Sequence, residues 1–589
     1  MSPLALMSFA SLVFGSLLTP AALAGERPAR NVLRPALPLQ LEPGHSTTQV
    51  ILKFVDATPI RWDDGQLLPL GSRPVDFDDV EELLDGTTIT RLFTRPVADL
   101  DLERAALLEQ VPDHRPWPVD LNQYYRVETV GAAQTVQLVE ALLALPSVET
   151  AYPERTLEAF VPLGGDIAPT TPLYESGQGH LGPAPLGLGH EAIRTMVGGR
   201  APDLNVAHLE SSWHFGHEDA CQMVTGSVIG DLPGAFLDSW KDHGAAVAGV
   251  LCADRNGYGM RGMADGANLM LASFQFGSAD MISTVTALAE AGDVFVSSGA
   301  WLVQGQYHAP LDYEQAEFDA ILTASTKGIV YCYGAGNTNT SLDDVGIYGT
   351  RYIPGAADSG GVIVGAGEST SLDKSGFSNY GTRVDCHAWG DGIWTLGYGS
   401  LFSAGDPLQT YADDFDGTSG SGPQVAGVAA VISNVVREQN GEQLGALEIR
   451  ELMRTLGTPQ GAGGHVGPRP DLVQILASVG LPDGLVVPAD AEIGQPVSVD
   501  LAGTPSAPLW LLMAAERGRL DVGLNRDLLL DPAQLIIVPG FQFDGSGALS
   551  LTDTVPNQPS LQGLSLFVQV AEFGPVKRLT NSSEIWIRD

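Results

Sequence analysis

The sequence predicts an α/β protein. A doubly wound, mostly parallel sheet over residues 180–481 is preceded by a small α/β unit and followed by an all-β sandwich over 484–589. Three observations carry this expectation. From Asn205 onward, short continuously apolar runs alternate with helix-period segments, the pattern of a parallel sheet covered on both faces. Between Gln49 and Tyr152, three strand-like runs surround one amphipathic segment. Beyond Pro482, short alternating runs are separated by Gly, Pro, Asn and Asp clusters.

The bulk properties agree. The 589 residues are 44% hydrophobic and 17% charged, so large cores can be buried and a disordered or fibrous chain is excluded. The 70 acidic against 31 basic side chains give a formal charge of −39, which argues against a nucleic-acid or anionic-membrane partner. Residues 1–24 read as a signal peptide, uncharged from Pro3 to Gly25 and ending in the small-x-small pattern Ala22-Leu23-Ala24. A retained anchor is the competing reading; interspersed polar residues weaken it, although the basic flank of a signal is missing. No later segment is long and apolar enough to span a bilayer. The expected product is an exported chain without a membrane span. In that setting Cys221, Cys252, Cys332 and Cys386 allow up to two disulfides, in any of three connectivities, or buried free thiols.

Each element has a local justification. Residues 25–47 form a Pro- and Arg-rich lead-in, followed by strands at Gln49–Val55 and Tyr124–Val130. The helix Thr135–Leu145 places Val136, Val139, Leu142 and Leu143 on one face, and Pro146 stops it before a strand at Val148–Tyr152. Residues 160–187, with several Pro and Gly, read as a linker. The central unit is predicted as strand Val206–Leu209, helix His243–Cys252, strand Leu269–Ser273, helix Ile282–Ala291, strand Val294–Ser297, helix Tyr313–Thr326 and strand Ile329–Tyr333. The helix from Pro423 through Val436 is apolar on nearly all sides and should cross the core. The terminal unit carries strands at Val497–Leu501, Leu509–Met513, Leu535–Val538, Leu564–Val570 and Ile585–Ile587.

Four segments carry chemistry. A strand ends on a carboxylate at Glu210, and His243 opens a helix of small residues. Ser419 sits in a Gly-rich turn at a helix mouth, and a buried strand runs into Gly334-Ala335-Gly336-Asn337. A serine hydroxyl is a poor nucleophile until an imidazole accepts its proton, and the imidazole needs a carboxylate to fix its tautomer. A helix N-terminus and an amide side chain are suited to stabilise the oxyanion that such an attack creates. Each feature alone has a bland reading: a helix cap for Ser419, a structural histidine, a solvated Glu210, a turn residue at Asn337. Asp242 competes for the acid role; as a neighbour of His243 on the same helix start it would point elsewhere and cap the helix.

Together these segments resemble the subtilases, the subtilisin-like serine peptidases. The matching stretches are HGAAVAG at His243, GAGN ending at Asn337, DGTSGSGPQVAG around Ser419 and GFSNYG at Gly376–Gly381. The resemblance covers about residues 180–480. It extends more faintly over 48–155, which is similar to the ferredoxin-like inhibitory propeptide of these enzymes, within a propeptide of 25–165. It implies a subtilisin-like fold and a secreted serine endopeptidase made as a zymogen, acting on protein or peptide substrates as a monomer without a required cofactor. The implied catalytic residues are Glu210, His243, Ser419 and Asn337. Ser297, Ser298 and Gly299 would lay the substrate along a strand edge, and Gly334, Ala335 and Gly336 would wall its pocket. Asp219 and Asn256 match side chains that bind a structural calcium, although calcium takes six to eight oxygens and only two side chains are visible.

The chain departs from the family at three places. Glu210-Ser211-Ser212 stands where Asp, Ser or Thr, and Gly are usual, in surroundings similar to a bacterial subgroup with Glu. Ala246 replaces a second histidine, and GTSGSGP replaces GTSMASP. The resemblance leaves room for a catalytically silent scaffold that binds through its β domain, and for an acid-acting serine-carboxyl peptidase.

Overall fold

A computed structural model describes residues 32–41, 45–57, 59–63, 66–110, 117–155, 157–158, 171–220, 222–223, 227–230, 240–274, 277–403, 405–488 and 490–588. The segment read as a signal peptide, Cys221 and residues 160–170 of the 160–187 stretch lie outside these residues.

Seven parallel strands form the centre. Their spatial order is Cys386–Trp389, Val362–Gly367, Val330–Gly334, Val294–Ser297, Asn205–Glu210, Asn268–Ser273 and Val228–Ile229. From Asn205–Glu210 the chain first builds outward on one side, then returns to Val294–Ser297 and builds the other. The order therefore reverses between these two neighbours, the crevice where open α/β sheets place ligands at their carboxyl ends. Alternation along Asn205–Glu210 divides its side chains. Val206 faces a core shared with Lys241–Cys252 and Thr418–Asn440, while Ala207 and Leu209 face the core of Ser278–Leu288 and Gln315–Lys327. Both faces are covered, which is why these strands read as continuously apolar. Thr418–Asn440 is buried from Thr418 through Val436, as its all-round apolar sequence requires.

The N-terminal region is richer than its sequence pattern suggests. A four-stranded antiparallel sheet (Ile89–Arg91, Tyr124–Glu128, His45–Phe54, Val148–Arg155) carries the expected helix, here Ala132–Leu143. It also carries helices at Phe77–Leu84 and Val97–Gln110. The second of these has its apolar residues scattered among six charged or polar ones, so periodicity could not announce it. The sheet unit sits on the helices Ser278–Leu288 and Gln315–Lys327, on the face of the central sheet opposite Lys241–Cys252 and Thr418–Asn440. Tyr124 Oη donates to the Gln315 carbonyl at 3.3 Å, Ala316 N donates to Tyr152 Oη at 3.1 Å, and Arg95 Nη1 donates to the Ser283 carbonyl at 3.0 Å.

Where described, the stretch read as a linker is packed. Tyr174 N donates to the Gly259 carbonyl, and Gln178 exchanges two hydrogen bonds with the Arg261 backbone. The C-terminal region holds a three-stranded antiparallel sheet and a six-stranded one, around a common core that includes Leu501, Leu509, Val570 and Ile585. Gln439, at the end of the buried helix, bonds both ways with the Ser582 backbone and ties this region to the centre. Cys252, Cys332 and Cys386 are buried free thiols inside the central core, so among the described residues the free-thiol reading holds and the disulfide one does not.

Candidate active site

Glu210 is the last residue of its strand and is buried. The next strand's Ser273 lies level with it, and Ser297 ends beside Leu209, so the crevice mouth is built from three strand ends. His243 lies in the first turn of Lys241–Cys252. The turn can approach only because residue 244 is glycine: a Cβ there would stand 1.9 Å from the Ser212 carbonyl oxygen. Across this contact His243 Nδ1 meets Glu210 Oε2 at 2.7 Å, while Ser211 N donates to Glu210 Oε1 at 2.8 Å. Burial alone would raise the Glu210 pKa. The His243 charge and hydrogen bond, then His208 and the Ser211 N–H, overcome it and hold the carboxyl below its ordinary value. The extra methylene of glutamate is thus accommodated, and the pair forms as a short buried bond.

Asp242 is not the partner of His243. It accepts from His214 Nε2 at 2.9 Å and from Tyr398 N at 2.9 Å, and it does not cap the helix, whose N-cap is Trp240.

Ser419 is the second residue of Thr418–Asn440, preceded by Gly417 at φ +90°, a backbone state suited to glycine. Its N–H lies among those of the first turn, which have no intrahelical acceptor. Pro423, four residues on, has no N–H to give the Ser419 carbonyl, and Ser298 Oγ donates there instead at 3.4 Å. In return Ser419 Oγ is turned toward the Ser298 carbonyl at 3.5 Å. His243 Nε2 has no hydrogen-bond partner among the described residues. The serine–imidazole bond that the sequence leads one to expect is therefore not made. A hydroxyl has three staggered wells, the Ser298 carbonyl competes for it, and such bonds commonly tighten only with substrate in place.

Asn337 is held from both ends. Its Oδ1 accepts from Thr418 N at 3.0 Å and Thr418 Oγ1 at 2.9 Å, and its own N–H donates to His308 Nδ1. Both hydrogen bonds to Oδ1 orient the amide so that Nδ2 lies beside Gly417, within 3.0 Å of where a Cβ would be. The GFSNYG segment finds its use here. Buried Asn379 donates to the Ala335 and His308 carbonyls and accepts from Thr338 and Thr340, clamping the loop that carries Asn337.

The candidate substrate residues divide. Ser297 is inside the central sheet with its hydroxyl bonded to Tyr331, so its side chain does not serve the cleft. Ser298 lies against Ser419. The edge that receives an added chain is one step further on: Ala300 and Trp301 pair antiparallel with Glu158 and Leu157. Gly334 abuts Thr418, where a Cβ would come within 2.7 Å of Oγ1; Ala335 N is spent on the Val364 carbonyl; Gly336 has φ +103°.

Asp219 and Asn256 do meet, but as partners of each other. Asn256 Nδ2 donates to Asp219 Oδ1 at 2.6 Å, Met260 N donates to Oδ2 at 2.7 Å, and Asn256 Oδ1 accepts from Tyr258 N. Burial pushes the Asp219 carboxyl up to about 8. An amide N–H aimed at a buried acid is not an oxygen cage, so the pair as folded does not fit calcium. Among the described residues no group of three or more His, Cys, Asp or Glu gathers that could hold a metal.

His208 is the residue that sequence reasoning passed over. Period two places it on the Glu210 side of the strand, which could have drawn attention to it.

Part of the chain is similar to known proteins. Residues 199–466 match the model of the subtilase family. Over 221 residues the chain is 31% identical to the calcium-dependent protease of Trichormus variabilis (strain ATCC 29413 / PCC 7937), covering 32% of this chain and 32% of that protein. It is 26% identical over 220 residues to subtilisin BL of Lederbergia lenta, covering 37% of this chain and 71% of that protein. The chain thus spans about a third of the length of the first of these relatives. A solved structure, fervidolysin from Fervidobacterium pennivorans, a keratinolytic enzyme related to subtilisin, aligns over 95% of this chain and 80% of its own. Its identity is 16% and its TM-score 0.47, a likeness on which nothing below rests.

Proposed function

We propose, from the subtilase match over residues 199–466, that the chain is a secreted serine endopeptidase made as a zymogen. The observation that carries the proposal is the buried Glu210–His243 bond at the mouth of the crevice that also holds Ser419 and the oriented Asn337 amide. Ser419 Oγ rotates from the Ser298 carbonyl, gives its proton to His243 Nε2 and bonds to the substrate carbonyl carbon. Glu210 keeps the Nδ1–H tautomer and stabilises the imidazolium. Asn337 Nδ2 and the Ser419 N–H receive the oxyanion. When the tetrahedral intermediate collapses, the C–N bond breaks and His243 protonates the leaving amine. Water then gives a proton to His243 and its oxygen bonds to the acyl carbon; the C–Oγ bond breaks, His243 returns the proton to Ser419 Oγ, and the acid leaves.

The N-terminal unit fits the role of an intramolecular inhibitor. Its strand Val148–Arg155 is followed by Leu157–Glu158, paired on Ala300–Trp301 as an added strand, and it buries Tyr124 and Tyr152 against Gln315–Lys327. Export, removal of residues 25–165 and action as a monomer belong to the same proposal. No helix among the described residues is long and apolar enough to cross a membrane. A calcium dependence like that in the names of two relatives would have to use a site other than Asp219 with Asn256 as folded. The C-terminal sheets would serve as a binding domain.

The test is labelling of the processed protein with a fluorophosphonate, expected in wild type and abolished in Ser419→Ala. Absence of labelling in wild type would favour a silent scaffold. Peptidase activity at pH 3–5 that survives His243→Ala would favour serine-carboxyl chemistry.

A further inference from the structure

His208 lies two residues before Glu210 on the same strand and is fully buried. Trp213 Nε1 donates to its Nδ1 at 3.0 Å, with the two rings edge to face. An indole N–H can only donate, so Nδ1 must hold the lone pair and a neutral ring must carry its proton on Nε2. That Nε2 has no hydrogen-bond partner among the described residues, and the nearest acid oxygen to it is Glu210 Oε2 at 3.9 Å. The same oxygen already accepts from His243 Nδ1. A carboxylate has roughly four acceptor sites, and two donors are in place at 2.7 and 2.8 Å. A buried N–H and a buried carboxylate left about 1 Å beyond bonding distance are each incompletely satisfied, and closing the gap meets both needs.

We propose that His208 is a positioning residue of the catalytic acid: its Nε2–H, fixed by Trp213, is the third donor to Glu210. It holds the longer glutamate side chain ionised and in the rotamer that reaches His243. This rests on the serine-peptidase reading above and deepens it. Burial, against the opposing effect of Glu210 and with that of His243, brings the His208 pKa down to about 4, so the ring stays neutral where a peptidase would work. The groups that face Glu210 electrostatically are His243 from the helix, His208 from its own strand and Tyr398 from the loop after Ile393–Leu396.

Two readouts test this on the processed protein. The first needs no activity. The ¹⁵N shifts of His208 between pH 6 and 8 should report a bare Nδ1 and a protonated Nε2; a protonated Nδ1 overturns the proposal. The second is kinetic. His208→Phe keeps the ring volume without the donor and should lower kcat about 10- to 100-fold with KM within about twofold, the loss expected for one hydrogen bond to a charged group. His208→Gln returns an N–H near the Nε2 position and should recover most of it. Without the donor the Glu210 carboxyl protonates more readily, so the acid limb of kcat/KM should move to higher pH in His208→Phe and return in His208→Gln. Equal kcat and equal limbs in the two variants would reduce His208 to core filling. Should His208→Phe not fold, Trp213→Phe releases the tautomer and should move the limb in the same direction; an unmoved limb overturns the proposal. Fluorophosphonate labelling separates the two levels: wild type that does not label defeats the peptidase reading, whereas stoichiometric labelling with unaltered His208 variants defeats only this one.

Discussion

Among the described residues two carboxylate–imidazole pairs lie at the start of the helix Lys241–Cys252, and they differ in burial. At the strand ends that floor the crevice mouth, Glu210 and His243 are both buried, 2.7 Å apart, with the far ring nitrogen unpartnered among the described residues. At the rim, Asp242 and His214 are 2.9 Å apart, with the Asp242 side chain about one-third exposed and committed also to the Tyr398 N–H. The distances are nearly the same. What differs is what the imidazole's free edge faces and how much water screens the pair. A pair open to solvent contributes little beyond local order, whereas a buried one holds its tautomer in a low dielectric.

The bluntest way to break the comparison removes the nucleophile that only the floor pair could serve. Ser419→Ala should lower kcat by about 10⁶-fold and stop release of the N-terminal unit, read by peptide hydrolysis and by electrophoresis of the secreted protein. Next comes the floor acid. Glu210→Gln presents the wrong partner to the imidazole and should cost about 10⁴-fold in kcat. Asn337→Ala leaves both pairs intact and should cost about 10²- to 10³-fold in kcat with KM little changed. At the rim, Asp242→Asn keeps an acceptor for the Tyr398 N–H and should change kcat by less than about threefold. A large loss there would reverse the assignment of the two acids.

A second buried carboxyl, away from the crevice, sharpens the lesson from the other side. Glu317, in the seam with the N-terminal unit, has a hydroxyl donor, Ser278 Oγ, instead of an imidazole, and burial pushes it up to about 8. Unfolded, it should titrate near 4.5. Between these values the folded, unprocessed chain keeps a proton that the unfolded chain gives up, so this group's contribution to stability falls as pH rises from about 4.5 to 8. Thermal denaturation of unprocessed Ser419→Ala should show a Tm that declines over that window, with a shallower decline after adding Glu317→Gln.

Much of this was legible in the chain. Val294–Ser297 begins and ends where its apolar run does, and the helices at His243 and Ser419 follow from all-round apolar sequence, because a sheet covered on both faces leaves no alternation to misread. The sequence pattern was weaker where burial is partial. The helix Val97–Gln110 has no clean apolar stripe, and the strand Ala548–Thr554, mostly exposed, was not anticipated. Sequence spacing brought Asp219 to Asn256 correctly, yet could not tell an oxygen ligand from an amide turned inward.

The order of residues by itself determined the α/β centre, the strand ends that carry Glu210 and Asn337, and the helix mouth that carries Ser419, since each depends on local periodicity and on Gly where backbones must approach. Only the tertiary structure decided which acid faces His243, that Ser297 turns away to Tyr331, that the cysteines stay apart, and that His208 stands behind Glu210. Those outcomes depend on distances between strands and helices far apart in the chain, and side-chain period constrains a face without choosing its neighbour.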